Sequence, residues 1–392
     1  MKIRTIKGIK NLRGKRVLLR VDFNVPLTKN GKVGKSEDYR IVQTLPTIKY
    51  LSGKGAKIII LAHLGRPDGK AIAKLRLDPV AKRLEQLLKK KIYKSDVIIG
   101  KETKRLIKEL KDGKILMLEN IRFDKREEKA DRNFAKQLAA LGDVYVNDAF
   151  AVDHRDQASV STIQEFLPSY AGLLLEQEIL HLDKVLKRPR HPLVVIIGGA
   201  KISTKIKLIR NFLPLADKLI LGGALANSVL KVMGVSIGKS KVEESAFSEI
   251  KKIKLTENKL IVPVDALIAR SYQSVKGRVD AVGDVKSNEV IVDIGPDTVR
   301  FYKKIIGSAK TVLWNGPMGL IETPDFAKGT KAIIKILAEL KAETIVGGGE
   351  TVEIIRQMRL EDKFDFISTG GGAMLEYLEG KKLPGLKKII IK

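Results

Sequence analysis

Apolar positions along this 392-residue chain come in short unbroken runs rather than in strict alternation. In the first half the runs are RVLLRVDFN (16–24), KIIILAHLGR (57–66), KILMLENIR (114–122) and DVYVNDAF (143–150). In the second half they are LVVIIGGAK (193–201), KLILGGAL (218–225), KLIVPVD (259–265), VIVDIGP (290–296), TVLWNGP (311–317), TIVGGGE (344–350) and FISTGGG (366–372). Between them lie stretches with apolar residues at helical spacing, such as DPVAKRLEQLLKK (78–90) and DRNFAKQLAAL (131–141). A strand buried on both faces shows no polar side, so such runs alternating with helices predict parallel sheets covered by helices. There are two such series. The pattern predicts one amphipathic helix over 173–187, ended by the basic, proline-bearing KRPRHP. The expected organisation is α/β: two doubly wound parallel-sheet (Rossmann-like) domains, 1–172 and 188–376, joined by that helix.

Length agrees, because single cores stop growing at about 250–300 residues. The absence of cysteine excludes disulfides, thiolate metal sites and a cysteine nucleophile. No apolar run approaches the roughly 18 residues of a membrane span. The basic segment MKIRTIKGIKNLRGK never meets an apolar block, so the expected location is the cytoplasm. The formal charge of +29 admits three readings. A lysine-rich proteome ranks first, anionic substrates second and nucleic acid third. Lysines are spread along the chain and aromatics are only 5%, whereas single-strand binding wants stacking aromatics in a basic groove.

The ends of the runs change the picture. In open α/β sheets, ligands bind beyond the carboxyl ends of the strands. The first half ends its strands in Asp22, Asn24, His63 and Arg122; Arg40, Arg66 and Arg155 stand close by. Arginine forks match phosphate and carboxylate oxygens. Four arginines with Asp22 and Asn24 as hydroxyl partners suggest a phosphorylated hydroxy acid. The two histidines, His63 and His154, are either phosphate donors or hydrogen-bonded turn residues.

The second half ends its strands in glycines. GGAKISTK (198–205), VGGGETVEI (346–354) and STGGGAMLE (368–376) each follow an apolar run and open a helix-like segment. Glycines there expose backbone N–H groups at the positive end of a helix, a natural phosphate seat. Lys201 and Lys205, four apart, are expected on one helical face; the alternative is a helix start with two solvated lysines. Three such turns favour a polyphosphate site. Glu322, in WNGPMGLIE, is a candidate acceptor for ribose hydroxyls or simply an exposed loop acid. No G-x-x-x-x-G-K-[ST] is present; MGVSIGKS (233–240) misses its first glycine. There is no metal-ligand spacing and no nucleophile–base–acid triad.

Taken together, RVDFNVP, SEDYRI with LPTI, HLGRPDG, LENIRF, VNDAFAVDHR, IIGGAKISTK, WNGPMG, GGGET and STGGGA with LEGKKLPG resemble the phosphoglycerate kinase family, collinearly from about residue 15 to 386. The resemblance implies a two-domain hinge enzyme that transfers a phosphoryl group reversibly between 1,3-bisphosphoglycerate and ADP, giving 3-phosphoglycerate and ATP, with Mg2+ carried on the nucleotide. It implies substrate binding by Asp22, Phe23, Asn24, Arg40, His63, Leu64, Gly65, Arg66, Arg122 and Arg155. It implies nucleotide binding by Lys205, Gly222, Gly223, Gly295, Asn315, Glu322, Gly347, Gly348, Gly349, Glu350 and Thr351. Arg40, Lys201 and Lys205, with N–H donors around Gly349 and Gly371, would act on the transferring group. Residues 377–392 would return to the first domain. The family is usually monomeric, though oligomers occur. Two departures stand out. Glu350 replaces the family's usual Asp at the expected magnesium ligand, and AFAVDHRD lacks the glycine that many relatives carry after AF. The competing readings are a nucleic-acid-binding protein on the same fold and a kinase for another small molecule.

Overall fold

The computed structural model describes residues 1–253 and 258–391. The chain divides into two compact units, Met1–Leu180 with the segment from Lys381 onward, and His181–Gly380.

The first unit holds strands β1 (Arg16–Val21), β2 (Lys57–Leu61), β3 (Ile92–Lys94), β4 (Ile115–Met117), β5 (Val144–Asp148) and β6 (Ser169–Ala171). Its helices are α1 (Tyr39–Gly53), α2 (Asp78–Leu88), α3 (Lys101–Glu109) and α4 (Arg132–Ala139). The strands form one sheet in the order β3-β4-β2-β1-β5-β6, every pair parallel. Successive side chains of a strand point to opposite faces. Val17, Leu19 and Val21 of β1 therefore enter one core cluster and Leu18 the other. Both faces being covered is why the sequence shows continuous runs. Arg20 is the exception: a fully buried charge on an otherwise apolar strand. From β1 the chain steps to β2 on one side and later to β5 on the other. The carboxyl end of β1 thus borders the switch point where a crevice opens.

Helix α5 (Leu173–Lys187) has the bounds that its pattern predicts. The division between the units falls within it, at Leu180.

The second unit holds β7 (Leu193–Ile197), β8 (Lys218–Leu221), β9 (Leu260–Ile261), β10 (Asp265–Ala269), β11 (Arg278–Ala281), β12 (Val290–Ile294), β13 (Thr311–Asn315), β14 (Glu343–Gly347) and β15 (Phe366–Ile367). Its helices are α6 (Ile206–Phe212), α7 (Gly223–Val232), α8 (Phe247–Lys251), α9 (Pro296–Gly307), α10 (Lys328–Ala338), α11 (Gly349–Gln357) and α12 (Gly372–Leu378). Six strands make a second parallel sheet, β15-β14-β13-β7-β8-β9. One expectation is corrected here. VIVDIGP, read as a member of the parallel series, forms β12 of a separate antiparallel sheet, β11-β10-β12. Its apolar content arises because Val290 and Val292 are buried in a cluster with Ala269 of its one strand neighbour, β10, and with Phe326.

Residues beyond Lys381 are built into the first unit. Gly385 donates its N–H to the Asp153 carbonyl at 2.9 Å. Its own carbonyl accepts from Asn147 Nδ2 at 3.1 Å and Gln164 Nε2 at 2.7 Å.

Candidate functional site

In the first unit, β1 ends at Val21 and delivers Asp22 and Asn24 to the crevice. Asp22 Oδ2 accepts from Arg40 Nη1 at 2.6 Å, and that nitrogen also donates to the Asn24 carbonyl at 3.2 Å. Arg40 comes from the first turn of α1. Asp22 Oδ1 accepts from the Asn24 N–H at 3.1 Å. The Asn24 side chain in turn accepts from the Gly65 N–H at 2.8 Å. Arg122 Nη1 donates to the Gly65 carbonyl at 2.9 Å. Asp22, Asn24, Arg40, Gly65 and Arg122 are thus one hydrogen-bonded group assembled from the ends of β1, β2 and β4.

His63 is buried beside this group, its Nε2 3.9 Å from Asp22 Oδ1. Burial, and then the charges of Arg20, Arg122, Arg40 and Arg155, hold its imidazole well below the usual histidine range. Arg122 is 3% exposed, and its Nη2 is buried with no hydrogen-bond partner. Burial, followed by the like charges of Arg20 and Arg155, pushes this guanidinium down to about 10. Glu128, whose Oε1 lies 3.5 Å from Arg122 Nε, and Glu127 oppose that shift without cancelling it, and such crowding of cations is one way to receive an oxyanion. Arg66 is exposed, one residue past Gly65. The side chains of Phe23 and Leu64 are buried in the core, and the Leu64 carbonyl is taken by Asn120 Nδ2 at 2.8 Å. Asn120 also accepts from the Arg122 N–H at 3.2 Å. Within LENIRF the sequence offered Asn120 as plainly as Arg122, but its neutral amide carried no charge signal.

In the second unit, the chain leaves β7 and β13 side by side. Gly198 N–H donates to the Asn315 carbonyl at 2.9 Å, and Gly199 N–H to Pro317 at 2.8 Å. A Cβ on Gly198 would lie 2.1 Å from the Pro317 oxygen, so only glycine permits this approach. The sole tryptophan, Trp314, is buried and holds the same turn by donating from Nε1 to the Gly316 carbonyl at 2.8 Å.

The GGAKISTK turn differs from its expected form. Helix α6 begins only at Ile206, so Lys201 and Lys205 share no helical face. The reason lies some 40 residues on. Glu243 Oε2 accepts from the N–H groups of Ile202 at 2.7 Å and Ser203 at 3.1 Å, which winds the segment into turns. Lys201 is exposed, whereas Lys205 is 8% exposed and donates from Nζ to the Gly198 carbonyl. Burial pushes the Lys205 ammonium down to about 8, with the negative charge of Glu350 opposing.

Helix α11 starts in the open. Its N-cap, Gly348, has φ 97°, a left-handed conformation that favours glycine, and Gly349 and Glu350 behind it are exposed. Two polar groups at this start are buried without hydrogen-bond partners, Asn315 Nδ2 and Thr351 Oγ1. Gly371 caps α12 with φ 51°. A cavity of about 270 Å3 runs between these turns, lined by Gly199, Gly223, Tyr272, Met318, Leu320, Glu322 and Glu350 among others. Its wall is mostly apolar, as a planar heterocycle would require. Gly222 is instead packed against Met318, and Gly295 against Asp265, whose carboxylate already takes the first N–H groups of α9 from Asp297 and Thr298.

The model of the family "Phosphoglycerate kinase" matches residues 6–381. The chain belongs to the phosphoglycerate kinase family. A phosphoglycerate kinase of Moorella thermoacetica is 47% identical over 387 residues, covering 97% of this chain and 98% of that one. One of Coprothermobacter proteolyticus is 43% identical over 394 residues, with both chains covered completely. The solved phosphoglycerate kinase of Coxiella burnetii superposes with a TM-score of 0.86 at 39% identity, covering 99% of each chain. Phosphoglycerate kinases are glycolytic enzymes that transfer a phosphoryl group between 1,3-bisphosphoglycerate and ADP, with a carboxyl group as acceptor. No helix among the described residues is long and apolar enough to cross a membrane.

Proposed function

We propose that the first unit binds 3-phosphoglycerate or 1,3-bisphosphoglycerate and that the second binds the nucleotide, so that each turnover requires the two units to close. What carries the reading is the buried Arg122 Nη2, partnerless and surrounded by cations, next to the fixed Asp22–Arg40 pair. Arg122, His63, Arg66 and Arg155 hold the substrate's phosphate. Asp22 and Asn24 meet its hydroxyl, and Arg40 its carboxyl end.

In the direction that consumes ATP, the substrate's carboxylate is already ionised at neutral pH and is itself the nucleophile. One carboxylate oxygen bonds to the γ-phosphorus, the bond to the β,γ-bridging oxygen breaks, and ADP leaves with that electron pair. No side chain has to take a proton. The protein's work is alignment and neutralisation of charge. Lys205, Arg40, the more exposed Lys201 and the N–H groups about Gly349 and Gly371 supply that neutralisation, while Asn315, Thr351 and Glu322 position the nucleotide.

Among the described residues no three carboxylates or histidines converge. That donor set suits magnesium brought in on the nucleotide, since this ion keeps several waters and takes one or two carboxylates besides phosphate oxygens. Glu350, exposed at the start of α11 and close enough for its charge to act on Lys205, would hold it. The ion would neutralise charge on the phosphate oxygens.

The test is a coupled assay following NADH loss through glyceraldehyde-phosphate dehydrogenase, with 3-phosphoglycerate, ATP and magnesium supplied. Turnover should vanish when 3-phosphoglycerate or magnesium is omitted. Arg40→Ala should cut kcat by about 100-fold or more with nucleotide affinity kept. A near-normal rate for that variant would remove Arg40 from the reaction.

A further inference from the structure

Behind His63 lies a buried polar chain that none of the roles above uses. Arg20 projects from the penultimate position of β1 and is completely buried. Its Nε donates to Ser159 Oγ at 3.0 Å, and its Nη1 donates to the Val21 carbonyl. Its Nη2 lies 3.3 Å from His63 Nδ1. Ser159 is fixed in turn by Glu127, whose Oε1 accepts from the Ser159 hydroxyl at 2.6 Å and whose Oε2 accepts from the Ser159 N–H at 2.9 Å. Tyr145 donates from its hydroxyl to the Ser159 carbonyl at 2.8 Å. Glu127 and Ser159 are both completely buried. A buried charge chain of this length is costly unless every member is satisfied, and replacing such a chain with apolar side chains often stabilises a protein. Its place against a site residue gives it a use.

A guanidinium has only donors. Facing Arg20, His63 Nδ1 must accept, which puts the proton of a neutral ring on Nε2. That nitrogen is the one turned toward Asp22. We propose that Arg20, held by Ser159 and Glu127, is a positioning residue that locks His63 as the neutral Nε2–H tautomer, so that the ring offers the anionic substrate a donor and never a lone pair. This rests on the reading that the first unit binds the phosphorylated acid. The groups facing the ring from each neighbouring element agree with it: Arg20 from β1, Asp22 beyond it, Arg40 from α1, Arg122 after β4 and Arg155 after β5. Four cations against one carboxylate oppose an imidazolium. The donor is thus kept without adding a fifth charge that would titrate in the physiological range.

The experiment uses the full chain with 15N-labelled histidine, four residues in all. Long-range 1H–15N correlation distinguishes a pyridine-like from a pyrrole-like ring nitrogen, and His63→Gln assigns the signal. The expected result, without substrate and from pH 5.5 to 8, is an unprotonated Nδ1 and a protonated Nε2. An Nδ1–H tautomer, or an imidazolium at pH 6, would overturn the proposal. The double variant R20M/E127Q removes both buried charges together, so neither is left unpaired. It should give mixed tautomers that titrate, and a KM for 3-phosphoglycerate raised about tenfold with the KM for ATP unchanged. A double variant that keeps the Nε2–H ring and the native KM would equally overturn it. Should that variant not fold, the native spectrum still decides. If His63→Gln leaves the KM for 3-phosphoglycerate unchanged while the tautomer is as expected, the substrate assignment fails and the lock stands.

Discussion

Lys205 has the least comfortable environment of the charged groups around the glycine turns. It is nearly enclosed by the backbone of the glycine turns, and its one hydrogen bond goes to a neutral carbonyl. The ammonium therefore costs stability, and the proposed function would give it a full partner in the nucleotide's phosphates. Burial takes it from 10.5 to about 8. Below pH 8 the folded and unfolded chains both hold this proton, and the folded state bears the full desolvation cost. Between 8 and 10.5 only the unfolded chain holds it, so native stability rises with pH there. Lys205→Met should lower turnover by about 100-fold or more. It should also stabilise the protein by about 1–3 kcal/mol at pH 7, a gain that shrinks steadily toward pH 10.5. Urea titrations at pH 7 and pH 10 check this, and a variant less stable than native at both would refute it. Arg20 shows why such residues escape a sequence reading. Four apolar neighbours made RVLLRV look like plain core, and only the contacts of Arg20 show that the buried charge within it has a purpose.

At the scale of elements, the parallel strands were legible because burial on both faces leaves no polar register. The small antiparallel sheet was not. Its middle strand β10 follows directly on the run KLIVPVD and was not read as a strand of its own, and RVDA of β11 is half-exposed and reads as a loop, so β12 had no partner other than the large sheet. The turn after β7 failed for another reason. Its shape is imposed by Glu243, a contact across some 40 residues that local spacing cannot encode. The glycines of that turn were read as a phosphate seat, whereas Gly198 and Gly199 spend their N–H groups on the Asn315 and Pro317 carbonyls, and this close approach has a measurable consequence. In Gly198→Ala the new methyl would meet the Pro317 carbonyl oxygen at 2.1 Å, a backbone atom that cannot swing away as a side chain does. The variant should lose about 2–4 kcal/mol, read from the unfolding of Trp314 fluorescence, and should bind nucleotide weakly if at all. Native stability would mean that β7 and β13 separate more readily than their hydrogen bonds indicate.

At the scale of the whole molecule, the first unit depends on the far end of the chain. Leu383, Leu386 and Ile389 are buried, at 4%, 1% and 0% exposure. Burial of each is worth about 1.5–3 kcal/mol. Their joint loss approaches the 5–15 kcal/mol by which domains are generally stable. Deleting residues 381–392 should therefore unfold the first unit while the second stays folded. The single tryptophan lies in the second unit and reports on it alone. Trp314 fluorescence should stay native while far-UV circular dichroism falls and 3-phosphoglycerate binding disappears. Retained binding would show that the segment is dispensable. Sequence composition gave no hint of this dependence, because LEGKKLPG is short and mostly polar, and only its likeness to a family pattern suggested a return. Composition was equally mute about the +29 charge. The structure gathers some of it in Arg20, Arg40, Arg122 and Arg155 around His63, and the greater part is dispersed lysine.

The same stitching sets an order of events at the ribosome. Chains emerge from the N-terminus, and domains that are complete can fold during synthesis. Asn147 and Gln164 must wait for Gly385, 238 and 221 residues downstream. All of His181–Gly380 is translated in the meantime. The half that is made first is thus finished last, and a nascent chain stalled near its end would carry a complete second unit while the first still lacked its closing segment.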